Sequence, residues 1–111
     1  MMTRPWIEIR EFYERTSPLG IMVDLVYQIE RSRYSSGLHP WTSMQDLCIA
    51  QTPVDYPYNG PYLRVSPLPD GNCEFRYVDT PSEKKQWSRI ATASGSFLRL
   101  ESFLRQLHWF S

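Results

Sequence analysis

Apolar residues recur at helical spacing through the first part of the chain. Trp6, Ile9 and Phe12/Tyr13 repeat at three- to four-residue intervals within residues 3–15, with Thr3 placed to cap, and predict a short helix. The same stretch contains Trp-Ile-Glu-Ile, which alternates like a strand, so periodicity leaves helix and strand both open there. The element that follows is clearer. Ser17 suits an N-cap and Pro18 the first helical position, while Leu19, Met22, Val23, Val26 and Ile29 form an apolar stripe with Asp24, Gln28 and Arg31 turned away. This predicts a helix over about residues 18–33, ended by Ser35-Ser36-Gly37.

The period then changes. After a turn signal at Gly37-Leu-His-Pro40, residues 46–51 make a brief apolar run of the length expected for a buried strand. Pro53, Pro57 and Pro61, interspersed with Tyr56, Tyr58 and Asn59-Gly60, exclude helix and central strand and predict an extended surface loop over residues 52–61. Residues 62–78 read as a β-hairpin, because two alternating runs flank Leu68-Pro69-Asp70-Gly71, which suits a type I turn followed by a left-handed position. If Leu68 faces Asn72 across that turn, Ser66 faces Glu74, Val65 faces Phe75, Arg64 faces Arg76 and Leu63 faces Tyr77. Leu63, Val65, Cys73, Phe75 and Tyr77 then share a core face.

Residues 80–93 carry two signals. Thr80-Pro-Ser-Glu83 matches a capping box, but 86–92 has β-branched and aromatic character. A turn at 81–85 and a strand over 86–92 is the preferred assignment, with a helix over 81–93 as the alternative. At the end of the chain Ser96 is placed as a cap, and Phe97, Leu100, Leu104 and Leu107, widened by Phe103 and Phe110, predict a helix, with Glu101 and Arg105 as an exposed pair. The expected fold over residues 1–111 is a single α+β domain. Its antiparallel sheet has three to four strands around the central hairpin, and N-terminal and C-terminal helices pack mainly on one face.

Composition narrows the classes. Hydrophobic residues make up 41% and charged residues 22% of the 111, an ordinary globular balance far from disorder. Twelve basic residues offset twelve acidic ones, which disfavours nucleic acid or anionic lipid as a partner of the whole surface. Two cysteines are too few for a secreted disulfide framework, and no apolar stretch has the length of a signal peptide or membrane span, so a soluble cytoplasmic protein is expected.

The hairpin register places Arg64 opposite Arg76 on the non-core face, a like-charge pair that asks for compensation. Glu74, a diagonal neighbour, would supply it, as would a bound carboxylate, phosphate or acidic partner. Were Ile90 to point inward, Trp87 and Arg89 would join Tyr62 and the two arginines on that outer face, in the Arg, Trp and Tyr composition of a contact surface; Trp87 packed in the core is the competing reading. Tyr56, Tyr58 and Tyr62 are candidates for an aromatic rim, although tyrosines in such loops more commonly cover the margin of a core.

Catalytic and cofactor signatures are missing. Cys48, Cys73, His39 and His108 lack the close spacing of a zinc site, the five glycines are isolated, and both cysteines fall at predicted buried positions. No catalytic residue, metal or cofactor is assigned. The leading expectation is a non-catalytic protein-interaction module, of the inhibitor, immunity-type or adaptor kind, with Arg64, Arg76, Arg89, Trp87, Tyr62, Tyr56 and Tyr58 as binding residues. The alternatives are a nucleic-acid binder that stacks bases on the same face, and a small enzyme using His39 and Asp55 near the 52–61 loop.

Overall fold

A computed structural model describes residues 2–16, 20–58, 60–79 and 83–110. Its elements are α1 (Trp6–Thr16), α2 (Gly20–Glu30), β1 (His39–Ser43), β2 (Asp46–Ala50), β3 (Tyr62–Pro67), β4 (Cys73–Val78), β5 (Trp87–Ala91) and α3 (Ser96–Gln106), with one 3-10 turn at Glu83–Lys85. The fold is α+β. All five strands pair antiparallel in chain order, β1-β2-β3-β4-β5.

One strand more is present than the pattern suggested. Residues 39–43 extend the sheet where Gly37-Leu-His-Pro40 reads as a turn, because a proline is tolerated on an edge strand whose outward side needs no N–H. The Pro40 carbonyl accepts the Arg4 N–H at 2.9 Å, which ties the N-terminal segment to that edge. A two-residue turn through Met44 (φ 58°) and Gln45 links β1 to β2.

Packing decides the ambiguous N-terminal stretch in favour of helix. Trp6, Ile9 and Tyr13 are buried on one side of α1, and the Tyr13 hydroxyl donates to the Gln45 carbonyl at 2.9 Å. The helix starts later than expected, at Trp6, since the Pro5 carbonyl accepts the first helical N–H groups, from Glu8 and Ile9. Thr3 is therefore not the cap; its own N–H donates to the Val54 carbonyl. The proposed cap Ser17 and first-turn Pro18 lie outside the described residues. At its far end α2 stops at Glu30 rather than near 33, where the Ser32 hydroxyl donates to the Ile29 carbonyl at 2.8 Å and tightens the chain into a turn.

The hairpin has the register derived from its turn. Leu68 N–H donates to the Asn72 carbonyl at 2.9 Å, Gly71 takes the left-handed position with φ 88°, and Arg64 pairs with Arg76. Residues 87–91 form a strand, not a helix. In α3 the N-cap is Gly95, while Ser96 is buried and donates its hydroxyl to the Ala93 carbonyl. Glu101 turns to Tyr34, whose hydroxyl donates to it at 2.7 Å, rather than forming the expected exposed pair with Arg105.

All three helices lie on one face. Ile9 and Tyr13 of α1, Met22, Leu25 and Ile29 of α2, and Leu100 and Leu104 of α3 share a core with Leu47, Ile49, Leu63, Val65 and Phe75 of the sheet. Each buried Leu, Ile or Phe contributes roughly 1.5–3 kcal/mol before the entropy of ordering is set against it. The opposite face carries no helix among the described residues.

Candidate functional site

The outer face divides into a covered half and an open half. On the covered half Trp41, Cys48, Ala50 and Val54 form a second small core, completed by Met2, Tyr58 and Tyr62. Residues 51–58 fold back over the sheet to build it, held by the Val54 carbonyl, which accepts N–H groups from Met2 and Thr3 at 3.0 and 3.3 Å. Tyr58 packs edge-on and Tyr62 tilted against Trp41, with ring centroids 6.0 and 5.1 Å away, and the Tyr58 hydroxyl donates to the Pro61 carbonyl. Burial, with the nearby Asp79 charge, pushes the Tyr58 phenol above its ordinary pKa. Two of the three candidate tyrosines thus cover a core margin. Tyr56, 86% exposed, stays in solvent.

On the open half Arg64 and Arg76 emerge side by side, as pleat alternation requires, and with Tyr62, Tyr77, Val78, Gln86, Trp87 and Ser88 they line a shallow cavity of about 490 Å³. That volume is within the range of small-ligand and side-chain pockets. The like-charge pair is compensated from within the sheet. Asp46 Oδ2 lies 2.7 Å from Arg64 Nε and 3.5 Å from Arg76 Nη2, and Glu74 approaches Arg76 Nε at 3.6 Å. Arg76 also donates to the Ser66 hydroxyl, and Ser88 donates to Glu74 at 2.8 Å. Burial works against charge on Arg64, but its hydrogen bond to Asp46 and the neighbouring charges leave its pKa above the ordinary value. Arg76 Nε is enclosed and has no acceptor within hydrogen-bond distance among the described residues.

Asp46 is the member of this group that sequence reasoning missed. It opens the predicted strand at 46–51 with the outward parity of Cys48 and Ala50, but its contact with the arginines depends on β2 lying beside β3, which no local pattern encodes.

Arg89 does not join the arginines, and Trp87 reaches the end of their cavity from the helix-side parity of β5. Trp87 pairs with Tyr77 and Arg89 with Phe75, both core-facing, so the two side chains leave on the helix face and Ile90 points outward, 60% exposed. The expected inward Ile90 is corrected by that pairing. Trp87 stacks on Tyr77 (5.9 Å) and packs against Phe103 (4.7 Å), and the Arg89 guanidinium lies 5.7 Å over the Trp87 ring. Trp87 is partly buried against the core, close to the competing reading.

Comparison with protein-family models, curated proteins and solved structures gave no match.

His39 lines a separate cavity of about 350 Å³ with Arg4, Trp6, Ser35, Leu38 and Pro53, a wall without a carboxylate, and the Ser35 hydroxyl is committed to the Ser32 carbonyl. Asp55 instead accepts the Met2 N–H at 3.1 Å. Cys48 on the outer side and Cys73 on the core side are both buried and unpaired, and burial pushes each thiol up to about 11, away from nucleophilic character. Among the described residues no cluster of three metal-ligating side chains occurs, and no helix is long and apolar enough to cross a membrane.

Proposed function

We propose that the protein is a non-catalytic interaction module of the cytoplasm, an inhibitor, immunity-type protein or adaptor, that binds another protein through the open half of its sheet. One observation carries the reading: an uncovered sheet face brings Arg64, Arg76 and Tyr62 to a single concave wall, with Ile90 exposed on the same side. Arginine and tyrosine beside a pocket are the anchors that dominate protein interfaces, and Arg76 has more N–H donors than internal acceptors. Because Asp46 and Glu74 offset the arginine charges, recognition there is by directed hydrogen bonds more than by net charge. Two buried thiols on opposite faces of the sheet, unable to bridge, agree with a reducing compartment.

The alternative of nucleic-acid binding has less support, since Arg89 stands on the other face from Arg64 and Arg76 and Trp87 is partly committed to the core. Affinity capture from native lysate with the full chain as bait tests the leading reading. The expected result is a protein retained by the wild type and by Glu11→Ala, a control on exposed α1 surface, but lost with Arg76→Ala. Equal retention by Arg76→Ala overturns it, as does an empty capture alongside a small molecule that raises the melting temperature.

A further inference from the structure

The two edges of the sheet differ in how their main-chain groups are satisfied. Leu68 and Asn72 form a hydrogen-bonded pair, so alternation fixes which way every residue of the ladder directs its N–H and C=O. Residues 73, 75 and 77 of β4 turn to β5 and bond 91, 89 and 87. Ser88 and Ile90 are left directing theirs outward. The same alternation turns Pro40 of β1 outward, where it has no N–H to leave unpaired and its carbonyl accepts from Arg4. On β5, by contrast, the Ser88 carbonyl accepts a side-chain donor, Arg89 Nη1 at 2.8 Å, and no main-chain group among the described residues pairs with Ser88 or Ile90 from outside the sheet.

Basic side chains gather on the helix side of that edge, while on the outer side Glu74 stands opposite Ile90 and accepts from Ser88. Residues 84–110 hold five basic side chains against the single acidic Glu101, leaving seven basic and eleven acidic for the rest of the neutral chain. Exposed Lys84 and Lys85 precede β5, Arg89 lies over Trp87, and Arg99 of the adjoining helix lies 5.9 Å over Phe103, which itself packs on Trp87. On the opposite side of the same strand Ile90 is an exposed apolar residue. A strand complementary to this edge alternates carboxylate and apolar side chains.

We propose that the open edge of β5 takes up an extended acidic segment of another protein as a sixth strand, its carboxylates on the helix side near Arg89 and Arg99, its apolar residues against Ile90. Main-chain pairing with Ser88 and Ile90 gives the affinity, and the basic surround selects the segment. Pairing of two copies through β5 would set Lys84, Lys85 and Arg89 against their own kind, which repulsion opposes. The edge uses Ile90 of the outer face but neither Arg64 nor Arg76, so failure of capture through those two arginines leaves this binding intact.

The probe is a fluorescein-labelled peptide alternating Glu and Val, titrated against the full chain. Saturable binding that weakens as salt rises, with slowed hydrogen exchange at the Ser88 and Ile90 amides, is expected. Reversing Lys84, Lys85 and Arg89 together to Glu weakens it by about tenfold, and the peptide N-methylated along its pairing edge does not bind. Because that last control alters only the peptide, it holds whatever the variants do to folding. Binding unchanged by N-methylation, protection confined to other strands, or uptake of oligothymidylate in place of the peptide overturns the proposal. So does self-association of the chain that protects the β5 amides without peptide.

Discussion

Asp46 Oδ2 accepts from Arg64 Nε at 2.7 Å and lies 3.5 Å from Arg76 Nη2, so one carboxylate oxygen from β2 serves both arginines of a β3–β4 pair. The arginines stand opposite each other because the turn fixes register, and they stand without large penalty because a third strand supplies the counter-charge. A feature that resembles an empty anion clamp in two strands is a charge-compensated pair in three, with Arg76 Nε still lacking an acceptor among the described residues.

Removing that carboxylate separates its two roles. Asp46→Ala is expected to destabilise the fold by about 1–2 kcal/mol, since the lost hydrogen bond to Arg64 and ion pair to Arg76 involve charged, partly buried groups. It also frees both guanidinium groups, so phosphate at matched ionic strength raises the melting temperature of the variant and not of the wild type. Urea unfolding and thermal melts in phosphate and chloride measure both effects. Equal phosphate response in the two proteins would show that Asp46 is not what occupies the arginines.

Strand parity at β5 is checked by two neighbouring substitutions. Trp87→Ala removes a ring packed 4.7 Å from Phe103 and is expected to cost about 2 kcal/mol, below a fully buried Trp because this one is only partly covered. Ile90→Thr, on the outer side and 60% exposed, is expected to change stability by about 0.5 kcal/mol or less. The reverse ranking in denaturant melts would mean that the strand is offset by one residue.

These two positions mark where legibility ended. The hairpin could be derived to the residue because Pro69, Asp70 and Gly71 specify a turn, and a turn specifies register without reference to the rest of the chain. In 87–91 the apolar residues Trp87, Ile90 and Ala91 occupy both parities, so alternation contains no answer, and pairing of Trp87 with Tyr77 decides it. β1 stayed hidden because Pro40 reads as a breaker unless the strand is known to lie at an edge. The outer arginines were therefore legible as a pair, while Asp46, which gives them their state, was not.

Gly71 offers a test of the turn by backbone conformation alone. Its φ is 88° and nothing lies within 4 Å of where a Cβ would sit, so Gly71→Ala meets no steric neighbour and pays only for the left-handed backbone. A loss of about 1 kcal/mol is expected for Ala, with a smaller loss for Asn, which tolerates that region. Identical midpoints for wild type and both variants would mean the turn does not hold this geometry in solution.

Stability should fall on the alkaline side. Cys48 and Cys73 each move from 9.0 to about 11 on folding, mainly through burial of a group whose charged form is poorly solvated there. An unfolded thiol releases its proton near pH 9, whereas the folded one keeps it until about 11, so unfolding in that window is coupled to proton release. The contribution is fully present below pH 9 and is lost as pH rises toward 11, on the order of 2 kcal/mol per thiol. Burial raises the Tyr13 phenol as well, so a Cys48→Ala/Cys73→Ala variant should show a shallower alkaline decline, not a flat one. Urea midpoints from pH 7 through the alkaline range give the slopes, and parallel slopes for the two proteins would assign the decline to tyrosine instead.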